Sequence, residues 1–150
     1  MTTDDRLREL GIKLPAPIQP AANYVRHYRS GNLLFISGTG PTDRSPKGKV
    51  GAEVTLEDAY QAARDVGLQI LATAKQALDG DLDRIVHGVK VLGMVNSAPD
   101  FLQHPQVING CSDVLVEVLG ERGRHTRSAI GFAALPTDIC VEIEATFEVE

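Results

Sequence analysis

The chain is poor in the residues that would staple it, anchor it in a bilayer or hold a metal. Among 150 residues there are two cysteines, Cys111 and Cys140. They form neither a CxxC nor a CxxxC pair, so a zinc or dithiol redox motif is not supported. Two buried free thiols in a reducing compartment are expected instead. No apolar run approaches the ~20 residues that a helix needs to cross a bilayer. The opening Met1-Thr2-Thr3-Asp4-Asp5-Arg6 is polar and acidic, without the apolar core of a secretory signal, and the expected setting is the cytoplasm. Basic charge is also scarce. Lys and Arg number 15 against 20 Asp and Glu, a formal net charge of −5, which disfavours a broad phosphate-binding face. The GxSxG and HExxH signatures are missing. Gly38-Thr39-Gly40-Pro41 leads into a loop rather than a helix and so fails the dinucleotide fingerprint. His27, His87, His104 and His125 lack metal-ligand spacing. Neither a cofactor nor a metal is expected.

What is present is an ordinary globular pattern, of a length that suits one domain over residues 1–150. Residues 1–23 carry Pro15, Pro17 and Pro20 and read as an extended N-terminal arm. Tyr24 to Arg29 and Leu33 to Ser37 read as strands joined by a turn at Ser30-Gly31-Asn32. Residues 38–54, rich in Gly, Pro, Ser and Asp, form a loop long enough to suggest function. Thr55 can cap a helix, with Asp58 in the place of a capping-box acid. Apolar residues then recur with helical period from Leu56 to Leu78, and Gly80 can end the helix. Arg84 to Asn96 is apolar at both parities, as in a central strand covered on both faces. Pro105 starts a second helix with a buried stripe from Ile108 to Leu119, ended by Gly120. Arg127 to Leu135 and Asp138 to Val149 read as strands joined at Pro136-Thr137. In the last strand Val141, Ile143, Ala145, Phe147 and Val149 alternate with polar residues. The order ββαβαββ implies an α+β domain, a mixed sheet with two helices packed on one face. The other face is left for solvent or a partner subunit.

Four segments, in order and along nearly the whole chain, resemble the Rid/YjgF family. They are Gly31 to Pro41 (GNLLFISGTGP), Asp100-Phe101 with Val107-Ile108-Asn109, Thr126-Arg127-Ser128-Ala129, and Leu135-Pro136 with Val141 to Ala145 (VEIEA). The longer arm, the 38–54 loop and the run Asn109 to Asp113 look like the family's branch of roughly 150 residues. The resemblance implies a chorismate-mutase-like fold and a homotrimer with ligand clefts between subunits. It implies hydrolysis of reactive enamines and imines, such as 2-aminoacrylate, to 2-keto acids and ammonia. A non-catalytic trimer that binds a small carboxylate-bearing metabolite in the same clefts is the alternative. Endoribonuclease activity, a name attached to the family, fits the acidic net charge less well. No membrane partner is expected, and nucleic acid is disfavoured as a partner.

Matched onto this sequence, the family arginine is Arg127 and its water-orienting carboxylate is Glu142. A guanidinium fork can hold a carboxylate through two parallel hydrogen bonds. An ionised glutamate can orient and deprotonate water. Tyr24, Ser37, Gly38, Asn109 and Ser128 fall at ligand-contacting positions. Each has a plainer reading: Arg127 as a structural arginine at a turn, Glu142 as part of a solvated acidic face, and Asn109 as a helix-turn residue. Two positions depart from the family pattern, Ala129 where a Cys is frequent and Thr39 where a Gln is usual. His125 replaces a proline context, as either a ligand contact or an exposed residue. The expected hairpin of the last two strands would set Arg127 beside the strand that carries Glu142.

Overall fold

The protein, described over residues 1–150 by a computed structural model, builds five strands and three helices. They are α1 (Thr3–Glu9), β1 (His27–Ser30), β2 (Leu33–Thr39), α2 (Leu56–Ala77), β3 (Ile85–Asn96), α3 (His104–Leu119), β4 (Thr126–Phe132) and β5 (Val141–Val149). The sheet order is β1-β2-β5-β3-β4. All neighbours are antiparallel except β3 and β4, which are parallel.

The inner face of the sheet is set by alternation. Ala145 and Ile143 on β5 lie beside Val91 and Gly93 on β3, and all face the helices. Helices α2 and α3 cover this face. Thr55 caps α2 by accepting a hydrogen bond from the Asp58 backbone N–H. Beyond the helix, Asp79 and Gly80 take positive φ, and the Gly80 N–H returns to the Lys75 carbonyl. The two helices approach closely at Gly110, where an added Cβ would lie 2.1 Å from the Tyr60 carbonyl oxygen.

Three expectations need correction. The N-terminal arm is not extended throughout, because Thr3–Glu9 is helical. Thr2 and Asp5 form a reciprocal capping box, Leu7 is buried, and the prolines begin only after the helix has ended. The first strand starts at His27 rather than Tyr24, so Tyr24 stands outside the sheet. The third correction concerns the last two strands. They do not pair, because β3 lies between them and β4 pairs with β3 alone. The connection from residues 133 to 140 is therefore a crossover. It includes a turn at Pro136–Asp138 in which Thr137 and Asp138 take positive φ. A hairpin needs a two- to five-residue turn that reverses the chain in place, and this longer segment carries it over β3 instead.

The outer face has no helix over it. Tyr28 and Phe35 lie side by side there, and Val86, Val89 and Ile130 are likewise exposed. Strand β3 is interior, one place from the sheet edge, and the chain covers it on one face only, which corrects the expectation of a strand covered on both faces. Register shifts near His87 and Val89 break its alternation, which is why both parities read as apolar.

Candidate functional site

A bulge in β2 builds the first of two clusters of candidate residues. The pairing of β2 with β5 slips between Ile36 and Thr39, so Ser37 and Gly38 leave the regular ladder. Such bulges re-aim the chain next to functional surfaces. Arg26, which is buried, braces this one. Its Nη1 donates to the Gly38 carbonyl at 3.0 Å, and its Nη2 donates to Thr39 Oγ1 at 2.6 Å. Ser37 Oγ donates to the Val25 carbonyl at 2.7 Å. Gly38 is needed for space, since a Cβ there would stand 2.6 Å from Glu142 Oε2. The carboxylate therefore lies directly over the bare backbone of the bulge.

Glu142 opens into a cleft of about 850 Å³ shared with Tyr24, Arg26, Gly38 and the arm residues Pro15 and Ile18. Partial burial raises its pKa above the usual carboxylate value, and the neighbouring Glu144 adds to this while Arg26 opposes it. The Tyr24 hydroxyl is shifted the other way, chiefly by its hydrogen bond from Arg26.

The second cluster lies at the other edge of the sheet. Arg127 pairs with Val91 across β3 and β4, so its side chain leaves the inner face and meets α3. There Nη1 donates to Ser112 Oγ at 3.0 Å and Nη2 to the Pro105 carbonyl at 3.4 Å. Pro105, Asn109 and Ser112 recur at helical spacing, which sets Asn109 on the α3 face that Arg127 approaches. Ser112 Oγ also lies 2.9 Å from His125 Nε2, and His125 Nδ1 lies 2.7 Å from the Gly123 carbonyl. Cys111, fully buried next to Arg127, has its thiol pushed up to about 12 by burial. Thiolate chemistry is thereby excluded at neutral pH.

Within the chain these clusters are apart. Arg127 and Glu142 are two strands from each other, roughly 10 Å across the sheet. They also leave by opposite faces, since Glu142 pairs with Met94 and Arg127 with Val91. The structure brings Tyr24, Ser37, Gly38 and Glu142 to the first cluster, and Asn109 and Arg127 to the second. Ser128 joins neither. It points to the outer face, where Lys90 Nζ lies 3.4 Å from its Oγ. Arg26 and Ser112 are not among the residues singled out in the sequence; His125, read there as either a ligand contact or an exposed residue, is half-buried against Ser112 and Gly123. Ser112 carries the one available signal, lying three residues after Asn109 on the same helical face. Nothing local marks Arg26, because its partners, the Gly38 carbonyl and the Thr39 hydroxyl, are brought into range only by the bulge. No group of three or more His, Cys, Asp or Glu side chains is placed to share a metal ion, and no helix is long and apolar enough to cross a membrane.

The family model described as "YjgF/chorismate_mutase-like, putative endoribonuclease" matches residues 4–144. The chain is 43% identical to the Trypanosoma cruzi protein TCP17 over 146 residues, covering 95% of this chain and 91% of that one. A crystal structure of an Agrobacterium tumefaciens protein of unknown function is 43% identical, covers 99% of this chain and 92% of its own, and superposes with a TM-score of 0.91. E. coli TdcF, solved with bound serine, is 22% identical with a TM-score of 0.61, covering 90% of this chain and 94% of its own, and so shares the fold. The chain belongs to the YjgF/chorismate-mutase-like family, also called Rid.

Proposed function

We propose that this protein hydrolyses reactive 2-imino and 2-enamino acids to 2-keto acids and ammonia, at sites shared between subunits of a homotrimer. The observation that carries the reading is Glu142, a half-buried carboxylate of raised proton affinity at the head of a cleft whose matching arginine, Arg127, lies on the far edge of the same protomer. A closed ring of identical subunits lets the Arg127 edge of one copy meet the Glu142 cleft of the next. The apolar outer face with Tyr28 and Phe35 supports such packing, since exposed patches of this kind mark association surfaces.

The chemistry asks little of the protein. Arg127 holds the substrate carboxylate through paired N–H donors. An enamine first tautomerises to the imine. Glu142 takes a proton from water as the oxygen bonds to the imine carbon and passes it to the nitrogen, giving a carbinolamine and restoring the carboxylate. That intermediate collapses with cleavage of the C–N bond, yielding the 2-keto acid and ammonia. A carboxylate whose pKa is raised is a better base than a free one and can return its proton to the departing amine. Neither step needs a cofactor.

The test is ammonia release from 2-aminoacrylate made in situ by a serine dehydratase. The wild type should accelerate release beyond the spontaneous rate, Arg127→Ala should abolish the gain, and Glu142→Gln should reduce it. No acceleration with several imino acids rejects the deaminase reading. Saturable binding of a 2-keto acid without turnover would favour a metabolite-binding trimer instead. An RNA-cleaving role has less support here, because the chain is acidic and two of its histidines, His104 and His125, are hydrogen-bonded to Ser97 and Ser112.

A further inference from the structure

We propose that Ser112 and His125 are positioning residues that aim Arg127 at an anionic ligand. The proposal rests on the reading of Arg127 as the carboxylate anchor.

The chain of contacts starts at the backbone. His125 Nδ1 lies 2.7 Å from the Gly123 carbonyl, which can only accept, so Nδ1 carries the proton. Neutral His125 then offers a lone pair at Nε2, and Ser112 Oγ, 2.9 Å away, donates its hydroxyl hydrogen to it. The Ser112 oxygen is left with its lone pairs turned to Arg127 Nη1, which donates to it at 3.0 Å. The direction of every bond is thus fixed by one carbonyl. With the bond to Pro105 this occupies two of the five guanidinium N–H groups and leaves three for a ligand. A long arginine side chain otherwise samples many rotamers, and pinning one edge of the fork lowers the entropy cost of presenting the other.

Protonation of His125 breaks this order. A proton on Nε2 makes that atom a donor, so Ser112 would have to accept from two cations at once and turn its own hydrogen elsewhere. The surroundings favour the neutral ring. Burial lowers the His125 pKa below its usual value, the Gly123 bond opposes this, and Arg127 on β4 and His87 on β3 lower it further. Of the other charged groups near this edge, Arg122 pairs with Asp83, Arg124 with Glu121, and Asp113 accepts from the Tyr60 hydroxyl. The relay is therefore set at neutral pH and dissolves in acid. Glu142 also titrates in acid, but it acts on the bond-making step and registers in kcat. The relay acts on ligand capture and registers in KM.

The experiment uses the full-length protein. The Kd of 2-ketobutyrate is measured by calorimetry, and KM and kcat by ammonia release. Ser112→Ala should weaken ketobutyrate and raise KM by about tenfold, the scale of one hydrogen bond to a charged group, with the larger effect in KM than in kcat. Ser112→Thr, which keeps the hydroxyl, should recover most of the loss. Alanine is the stronger helix former, so Ser112→Ala is not expected to unfold α3. For the wild type, KM should rise as pH falls below about 6.5, because the lowered His125 pKa places its protonation on the acid side of an ordinary imidazole. His125→Gln cannot be protonated and should flatten that rise while leaving the acid fall of kcat in place. If Arg127→Ala weakens ketobutyrate but Ser112→Ala and His125→Gln change neither Kd nor the KM profile, the relay is overturned and the anchor stands. If Arg127→Ala leaves Kd unchanged, the anchor itself is wrong and the relay falls with it.

Discussion

Arg127 and Glu142 leave opposite faces of the sheet, with strand β3 between the strands that carry them. A single protomer therefore cannot close both groups around one small substrate. If each site takes Arg127 from one subunit and Glu142 from its neighbour, two impaired variants can rescue each other. Arg127→Ala and Glu142→Gln chains, co-expressed and assembled at random in equal amounts, should regain up to about one quarter of wild-type activity, the share of interfaces that combine the two intact groups. Separately purified variants measured side by side provide the baseline. No recovery in verified mixed trimers would place the whole reaction within one chain.

Gly38 gives a way to disturb Glu142 without touching it. A Cβ at this position meets the end of the Glu142 carboxylate, a flexible tip that can swing away, and the φ of Gly38 is not in the left-handed region. Gly38→Ala should therefore fold normally, with Tm within a few degrees of wild type. Its kcat should fall by about one to two orders of magnitude, because a general base must stay within hydrogen-bond reach of its water. An unchanged kcat would show that Glu142 does not work from the place it occupies over the bulge.

The Glu142 carboxyl should also mark stability. Its folded pKa is raised above the ordinary carboxylate value, mainly by burial. Between the unfolded and folded pKa values the folded chain holds a proton that the unfolded chain has released. Stability contributed by this group therefore falls as pH rises through that window, and the full penalty remains above the folded pKa. Glu142→Gln should raise Tm at neutral pH, and the gain should vanish below about pH 4.5. Thermal unfolding followed at several pH values checks this. A variant less stable than wild type at neutral pH would mean that the attraction of the Arg26 charge for Glu142 outweighs the cost of burial.

Much of the protomer was legible in the sequence because it is written in local periodicity. The capped start of α2, the stripe of α3 and the alternation of β5 each depend on residues close in the chain, and each formed as read. The errors came where spatial neighbours are distant in sequence. The crossover that separates β4 from β5 is decided by which strand edge is free, a property of the whole sheet that no local turn signal encodes. The capping box at Thr2 and Asp5 was local but was overshadowed by the prolines downstream. For the site, family motifs pointed to Arg127 and Glu142, while pattern alone could not say that they sit apart. Arg26 was invisible for a related reason, since its meaning lies in two acceptors more than ten residues away that a bulge brings into range.

Arg26 also supplies the sharpest stability test. Its two nitrogens reach two acceptors of different kinds, the Gly38 carbonyl and the Thr39 hydroxyl, from a buried position. A lysine keeps the charge but presents one nitrogen on a flexible stem, so it cannot span both acceptors in the plane that the bulge requires. Arg26→Lys should lose about 1.5–3 kcal/mol of unfolding free energy, the range for a hydrogen bond to a charged group. Thr39→Val should cost less in the Arg26→Lys background than in the wild type, because the partner it would abandon is already displaced. Urea unfolding of the four chains of this cycle gives the coupling directly. The bulge carries Gly38, so kcat should decline with the bracing even though Arg26 need not contact substrate. If Arg26→Lys kept wild-type stability and turnover, the bulge would hold its shape by backbone pairing alone. The buried guanidinium would then be serving the cleft in some other way, with its unpartnered Nε as the first place to look.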